Sequence, residues 1–137
     1  MTTPENPSSL PINDVTTFGD AAHEGGGLVF LDFLAEAPAA DASRPRPAVK
    51  RVLSGHRANH IVFTFVPGQT LPDHKAAHPI TVQVLTGSVL FECEGDTHEL
   101  HPGVAVHLPA HLPHAVRLPK NSDHGQAIML LTMHTGE

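Results

Sequence analysis

From Ala48 onward the chain alternates short apolar runs with turn residues. The runs are AVKRVL, HIVFTFV, ITVQVL, SVLFECE, THEL, VAVHL, HAVRL and AIMLLTMH. Between them stand Ser54-Gly55, Pro67-Gly68, Gly87, Gly95-Asp96, Pro102-Gly103, Pro109 and the stretch from Asn121 to Gly125. Runs this short, rich in Val, Ile, Phe and Thr and bounded by Gly and Pro, predict β-strands. Their regular spacing predicts an all-β barrel or sandwich. No stretch sustains a helical apolar period, so little helix is expected.

Several runs are apolar on both faces. In ITVQVL one face carries Ile80, Val82 and Val84, and the other carries Thr81, Gln83 and Leu85, so both faces need cover. A second sheet covers one of them. The other predicts a partner subunit, hence a homodimer, because a chain this small has little left to spread over an outer apolar face. The competing arrangement is a monomer with its N-terminal strands laid across that face.

Residues 1–27 are rich in Pro, Ser, Thr, Asn and Gly with scattered apolar positions. Such a segment buries too little surface to offset its ordering entropy, and a flexible tail is expected, with Asp14 to Ala22 able to pack as an extra strand or a single helical turn. Leu28 to Leu34 reads as a short strand and Ala35 to Pro47 as an exposed loop. The folded domain is therefore expected over residues 28–137.

A length of 137 residues suits one domain. Lys plus Arg number 8 against 14 Asp plus Glu, a net charge of −6, which argues against binding to a nucleic-acid backbone. The apolar run LVFLDFL is too short to span a bilayer and carries Asp32, so no membrane association is expected. Cys93 has no intrachain partner and sits in a strand-like run, which predicts a reduced, buried thiol and a cytoplasmic location. The 12 histidines are the compositional outlier.

Chemistry, if any, rests on those histidines. His74 and His78 are four apart, a spacing that puts both on one side of a strand or of a helical turn. His114 lies beyond a later hairpin, where an antiparallel neighbour could bring it opposite the first pair. Three converging imidazoles would hold a divalent transition ion, whether Fe, Zn, Ni, Mn or Cu, and leave coordination positions open for water or substrate. Gln83, His107 and His111 are candidates to line a ligand cavity, and His60 a wall histidine. His23, His56, His98, His101, His124 and His134 are expected to face solvent.

The spacing of these landmarks resembles the two motifs of the cupin superfamily. Gly68 is followed after five residues by His74, with Gly87 closing the next strand; later Gly103, Pro109 and His114 fall at matching intervals. The likeness covers about residues 48 to 134 and is nearest to small single-domain cupins with an RmlC-like jelly-roll β-barrel. It departs at Ala76, where the motif has a second His, at Pro79 near the motif's Glu, at His111 in place of Gly, and at Leu118 in place of Asn. The resemblance thus implies either a rebuilt site with His78 as a displaced ligand, or a barrel that has lost its metal and kept its fold.

Two functions follow. One is a metal-dependent oxygenase or isomerase acting on a small molecule through His74, His78 and His114. The other is a non-catalytic binding or sensory module without metal. The absence of Trp and Tyr weakens sugar stacking and favours a small apolar or acidic ligand. No Ser or Cys nucleophile signature, phosphate loop or carboxylate pair accompanies the histidines.

Overall fold

The computed structural model describes residues 9–136; residues 1–8 of the expected tail, and Glu137, lie outside the described residues. In chain order the strands are β1 (Ile12–Asn13), β2 (His23–Glu24), β3 (Ala48–Ser54), β4 (Asn59–Phe65), β5 (Thr70–Ala76) and β6 (Ile80–Thr86). They continue with β7 (Val89–Cys93), β8 (Asp96–Leu100), β9 (Ala105–Leu108), β10 (His114–Arg117) and β11 (Ala127–Met133). Among the described residues helix is confined to a 3-10 turn at Val15–Phe18 and to α1 (Phe33–Glu36).

Two sheets face each other, with strand orders β1-β5-β10-β7-β8 and β2-β3-β4-β11-β6-β9. This is the all-β jelly roll, built as two facing sheets rather than one continuously hydrogen-bonded wall. Alternation along β4 sends Ile61, Phe63 and Phe65 between the sheets, where they meet Val82 and Val84 of β6, Phe91 of β7 and Met129, Leu131 and Met133 of β11. Burying each of these side chains contributes about 2–3 kcal/mol. β4 and β11 read as nearly unbroken apolar runs because their other face is covered too: Val62, Ile128 and Leu130 form a second cluster with Val52.

That second cluster corrects the strand expected at residues 28–34. Leu31, Phe33 and Ala37 pack onto it, and Asp32, the polar residue inside the run, caps α1 by accepting from the Ala35 N–H at 3.1 Å. The chain itself therefore covers part of the outer face of the six-stranded sheet.

Within the expected tail the single helical turn allowed for Asp14 to Ala22 is present at Val15–Phe18, and short strands at Ile12–Asn13 and His23–Glu24 are added on either side of it. β1 pairs in parallel with β5, and β2 with β3. Backbone bonds from Lys75 N–H to the Pro11 carbonyl, 2.9 Å, and from Ala77 N–H to the Asn13 carbonyl, 2.8 Å, occupy a sheet edge that would otherwise stand open. Asp14 caps the 3-10 turn, its carboxylate accepting from Thr16 N–H while Thr17 Oγ1 accepts from Asp14 N–H. Phe18 then lies edge-on to Phe63 with ring centres 5.7 Å apart. One aromatic anchor and a handful of edge bonds order a stretch whose average composition is that of a loop.

Gly87 turns β6 into β7 at φ +75°, and a Cβ there would sit 2.6 Å from the Gln126 carbonyl oxygen, so both conformation and space require glycine. Among the described residues no helix is long and apolar enough to cross a membrane.

Candidate functional site

β5 and β10 run antiparallel with His74 and His114 as direct register partners. Side chains so placed stand on the same face within contact distance, and here the imidazole centres are 4.3 Å apart, edge to face. Both rings line an internal cavity of about 30 Å³, bounded by Asn13, Phe18 and Phe63 and by aliphatic side chains of β6 and β11. His114 is 4% exposed and stacks on Phe91 at 5.4 Å.

Each ring is oriented by the backbone two residues before it. His74 Nδ1 lies 2.8 Å from the Pro72 carbonyl and His114 Nδ1 lies 2.9 Å from the Leu112 carbonyl. A carbonyl only accepts, so each Nδ1 carries the hydrogen and each Nε2 keeps a free lone pair. Burial, and then the neighbouring His74, push His114 from 6.5 down to about 4, against the opposing pull of the Leu112 carbonyl. His74 is also lowered, by burial first and Arg46 second, with the Pro72 carbonyl and Asp73 opposing. At neutral pH the cavity therefore holds two uncharged hydrogen-bond acceptors in aliphatic surroundings.

The remaining sequence candidates lie elsewhere. His78 follows the end of β5 in a bend, outside the cavity lining. Gln83 corrects the inward assignment of its face: Ile80, Val82 and Val84 are the buried residues of β6, and Gln83 with Thr81 and Leu85 points away from the core. An amide among aliphatic side chains would lack partners, so the apolar set turns inward. His107 is exposed and bonds Thr81 on that same outer face. His111, also exposed, takes φ +68° and donates its backbone N–H to the Ala76 carbonyl at 2.8 Å, a clamp on the end of β5 and not a cavity wall.

Asn13 and Phe18 are cavity residues that the sequence reading left in the tail. Their signal was Asp14 and Thr17 three apart, a helix-start pattern, beside the apolar Val15 and Phe18. Ala76, where the cupin motif has its second His, lines the same cavity.

Two imidazoles without a carboxylate do not fit the three-ligand set of a catalytic transition metal. Among the described residues no group of three His, Cys, Asp or Glu is placed to hold an ion.

Facing sheets of jelly-roll connectivity around a histidine-bearing cavity define a small all-β jelly-roll domain. The chain belongs to the cupin domain family, whose match covers residues 61–131. A cupin domain from Bordetella pertussis is 25% identical with a TM-score of 0.57, over 68% of this chain and 97% of that one. A Thermus thermophilus protein is 24% identical with a TM-score of 0.63, over 76% of this chain and 96% of that one. A DMSP lyase from Ruegeria pomeroyi is 22% identical with a TM-score of 0.58, over 66% of this chain and 47% of that one, a likeness that carries the fold alone. Comparison with curated proteins gave no match.

Proposed function

We propose that this cupin is a binding module for a small, largely apolar molecule with at least one hydrogen-bond donor, held by Nε2 of His74 and His114 without a resident metal. The observation behind this reading is the paired imidazoles: each is tied at Nδ1 by a backbone carbonyl, leaving two uncharged acceptors in an aliphatic cavity. A donor group on a ligand would find two acceptors there at once. The cavity of about 30 Å³ has room for little more than water as it stands. The oxygenase or isomerase reading requires a third donor beside this pair, and lyase activity in a neighbour of the same fold does not supply one.

The test is a thermal-shift screen of chelator-treated protein against small alcohols, phenols, amines and protonated acids, with elemental analysis of the untreated protein. Ligands should raise the midpoint in the parent and lose that effect in His74→Ala and His114→Ala. An ion retained at about one per chain and lost in the same two variants would return the metal enzyme to first place.

We also propose a homodimer. Leu28 is 100% exposed and Phe30 89%, both in the segment next to the outer sheet face, and a second copy would bury them. A monomer in sedimentation at micromolar concentration would remove this reading. Cys93, whose thiol burial holds in the protonated form, suits a reducing compartment, and we propose the cytoplasm, to be tested by cell fractionation.

A further inference from the structure

β8 ends the five-stranded sheet and β9 ends the six-stranded one, with no hydrogen bonds joining the two. A cleft of about 190 Å³ is lined from both of these terminal strands, and it shares no residue with the histidine cavity. Its floor is apolar. Register sets Phe91 opposite His98 and Cys93 opposite Asp96 across β7 and β8, so all four side chains stand on one face of the hairpin. Phe91 is 1% exposed, which makes that face the inward one. Val106 and Leu108 of β9, and Leu112 ahead of β10, complete the floor, packed in or against the main core cluster.

The rim is charged. β7 passes into β8 through Glu94 and Gly95, at φ +54° and +84°, the pair of left-handed residues that a two-residue hairpin turn of type I′ requires. Asparagine, aspartate or glycine ordinarily fills the first of these places; a glutamate there holds a conformation few non-glycine residues take, and it stands on the edge of the cleft with Asp96. Among the described residues neither carboxylate has an ion-pair partner, the paired ones being Glu36 and Glu92. The negative field reaches the floor: burial first and the Glu94 carboxylate second push the Cys93 thiol up and keep it protonated, with its hydrogen donated to the Pro113 carbonyl at 3.4 Å.

We propose that this cleft binds a small organic cation, a primary amine on an apolar body, with the body on Phe91, Val106, Leu108 and Leu112 and the ammonium at Glu94 and Asp96. Any apolar molecule would suit the floor; the two unpaired carboxylates select the positive one. An ammonium has three donors and no acceptor, so both carboxylates are served and the third hydrogen is left for water or the His98 ring. An anionic ligand would meet repulsion at the rim, and the net charge of −6 acts in the same direction at longer range. A bare metal ion is the poorer occupant, because among the described residues no three His, Cys, Asp or Glu are placed to hold one. The cleft volume of about 190 Å³ is that of about six waters, which suits an amine of one ring or a short chain.

The test is titration of nitrogen-15-labelled protein with benzylamine at neutral pH and low salt, followed by backbone amide shifts. It compares the parent with a double variant, Glu94→Gln with Asp96→Asn, checked for unchanged β-sheet circular dichroism; both positions are exposed. Benzyl alcohol, with the same ring and no charge, is the control ligand. The parent should show saturable shifts centred on residues 91–98 and 106–112, with a dissociation constant on the order of 1 mM. Benzylamine with the variant, and benzyl alcohol with the parent, should each bind at least about fivefold more weakly. No saturable shift in the parent, shifts centred on the histidine cavity, or parent-like binding in either comparison would each overturn the proposal.

Discussion

Acid should unfold this protein early, through His114. The imidazole titrates near 6.5 in the unfolded chain and at about 4 in the folded one. Below 6.5 the unfolded state therefore binds more protons, and stability falls as the pH falls; above 6.5 neither state is protonated there and the contribution is flat. At about 1.4 kcal/mol per pH unit, lowering the pH from about 7.5 to 5 costs about 2 kcal/mol, and full descent below 4 costs about 3 kcal/mol. His74 is lowered as well and acts in the same direction. The measurement is urea unfolding followed by circular dichroism, with chelator present, for the parent and His114→Gln. Subtracting the two pH profiles removes the loss that Asp14, Glu36 and Asp41 contribute on protonation, since their carboxyls are held low in both proteins. The difference should fall by about 2 kcal/mol between pH 7.5 and 5. Profiles parallel to within about 0.5 kcal/mol, well under half a pH unit of differential titration, would refute the claim that this imidazole is buried and uncharged.

Two further substitutions probe the barrel. Ala76→His adds an imidazole to the cavity wall that already holds His74 and His114; it should lower stability by about 1–3 kcal/mol through overpacking and create metal-ion affinity that is lost again with His114→Ala. Gly87→Ala, forced to φ +75° and into the Gln126 carbonyl, should cost at least about 2 kcal/mol by urea unfolding, and a neutral result would mean that the β6–β7 turn is not built this way.

The sheet strands differ in how plainly the chain announces them. HIVFTF and AIMLLTM need no context, because β4 and β11 are covered on both faces and their sequences are apolar at all but His60, Thr64 and Thr132. β5 is the opposite case. TLPDHKA holds Pro72, Asp73 and Lys75, residues disfavoured in strands, and is extended because β10 pairs it on one edge and β1 on the other. Nothing local encodes that. Gln83 is instructive in another way: the alternation along β6 was legible, but alternation says only that two faces differ. Which of them turns inward is decided by what the opposite sheet offers, and here it offers Phe91, Leu100 and Val116.

The same distinction separates the histidines. His74 and His114 meet because β5 and β10 are paired in a register that sets one opposite the other, and the glycine and proline landmarks around them carry that register in the sequence. His78 was grouped with His74 on a spacing that holds only while the strand continues. The strand stops at Ala76, where the Asn13 carbonyl takes the Ala77 N–H at 2.8 Å, and Pro79 denies the following position a donor. The chain bends between, and the side chain four residues on stays outside the cavity lining. The end of β5 is thus made by a contact from the distant N-terminal segment, which no period of apolar residues around His74 records.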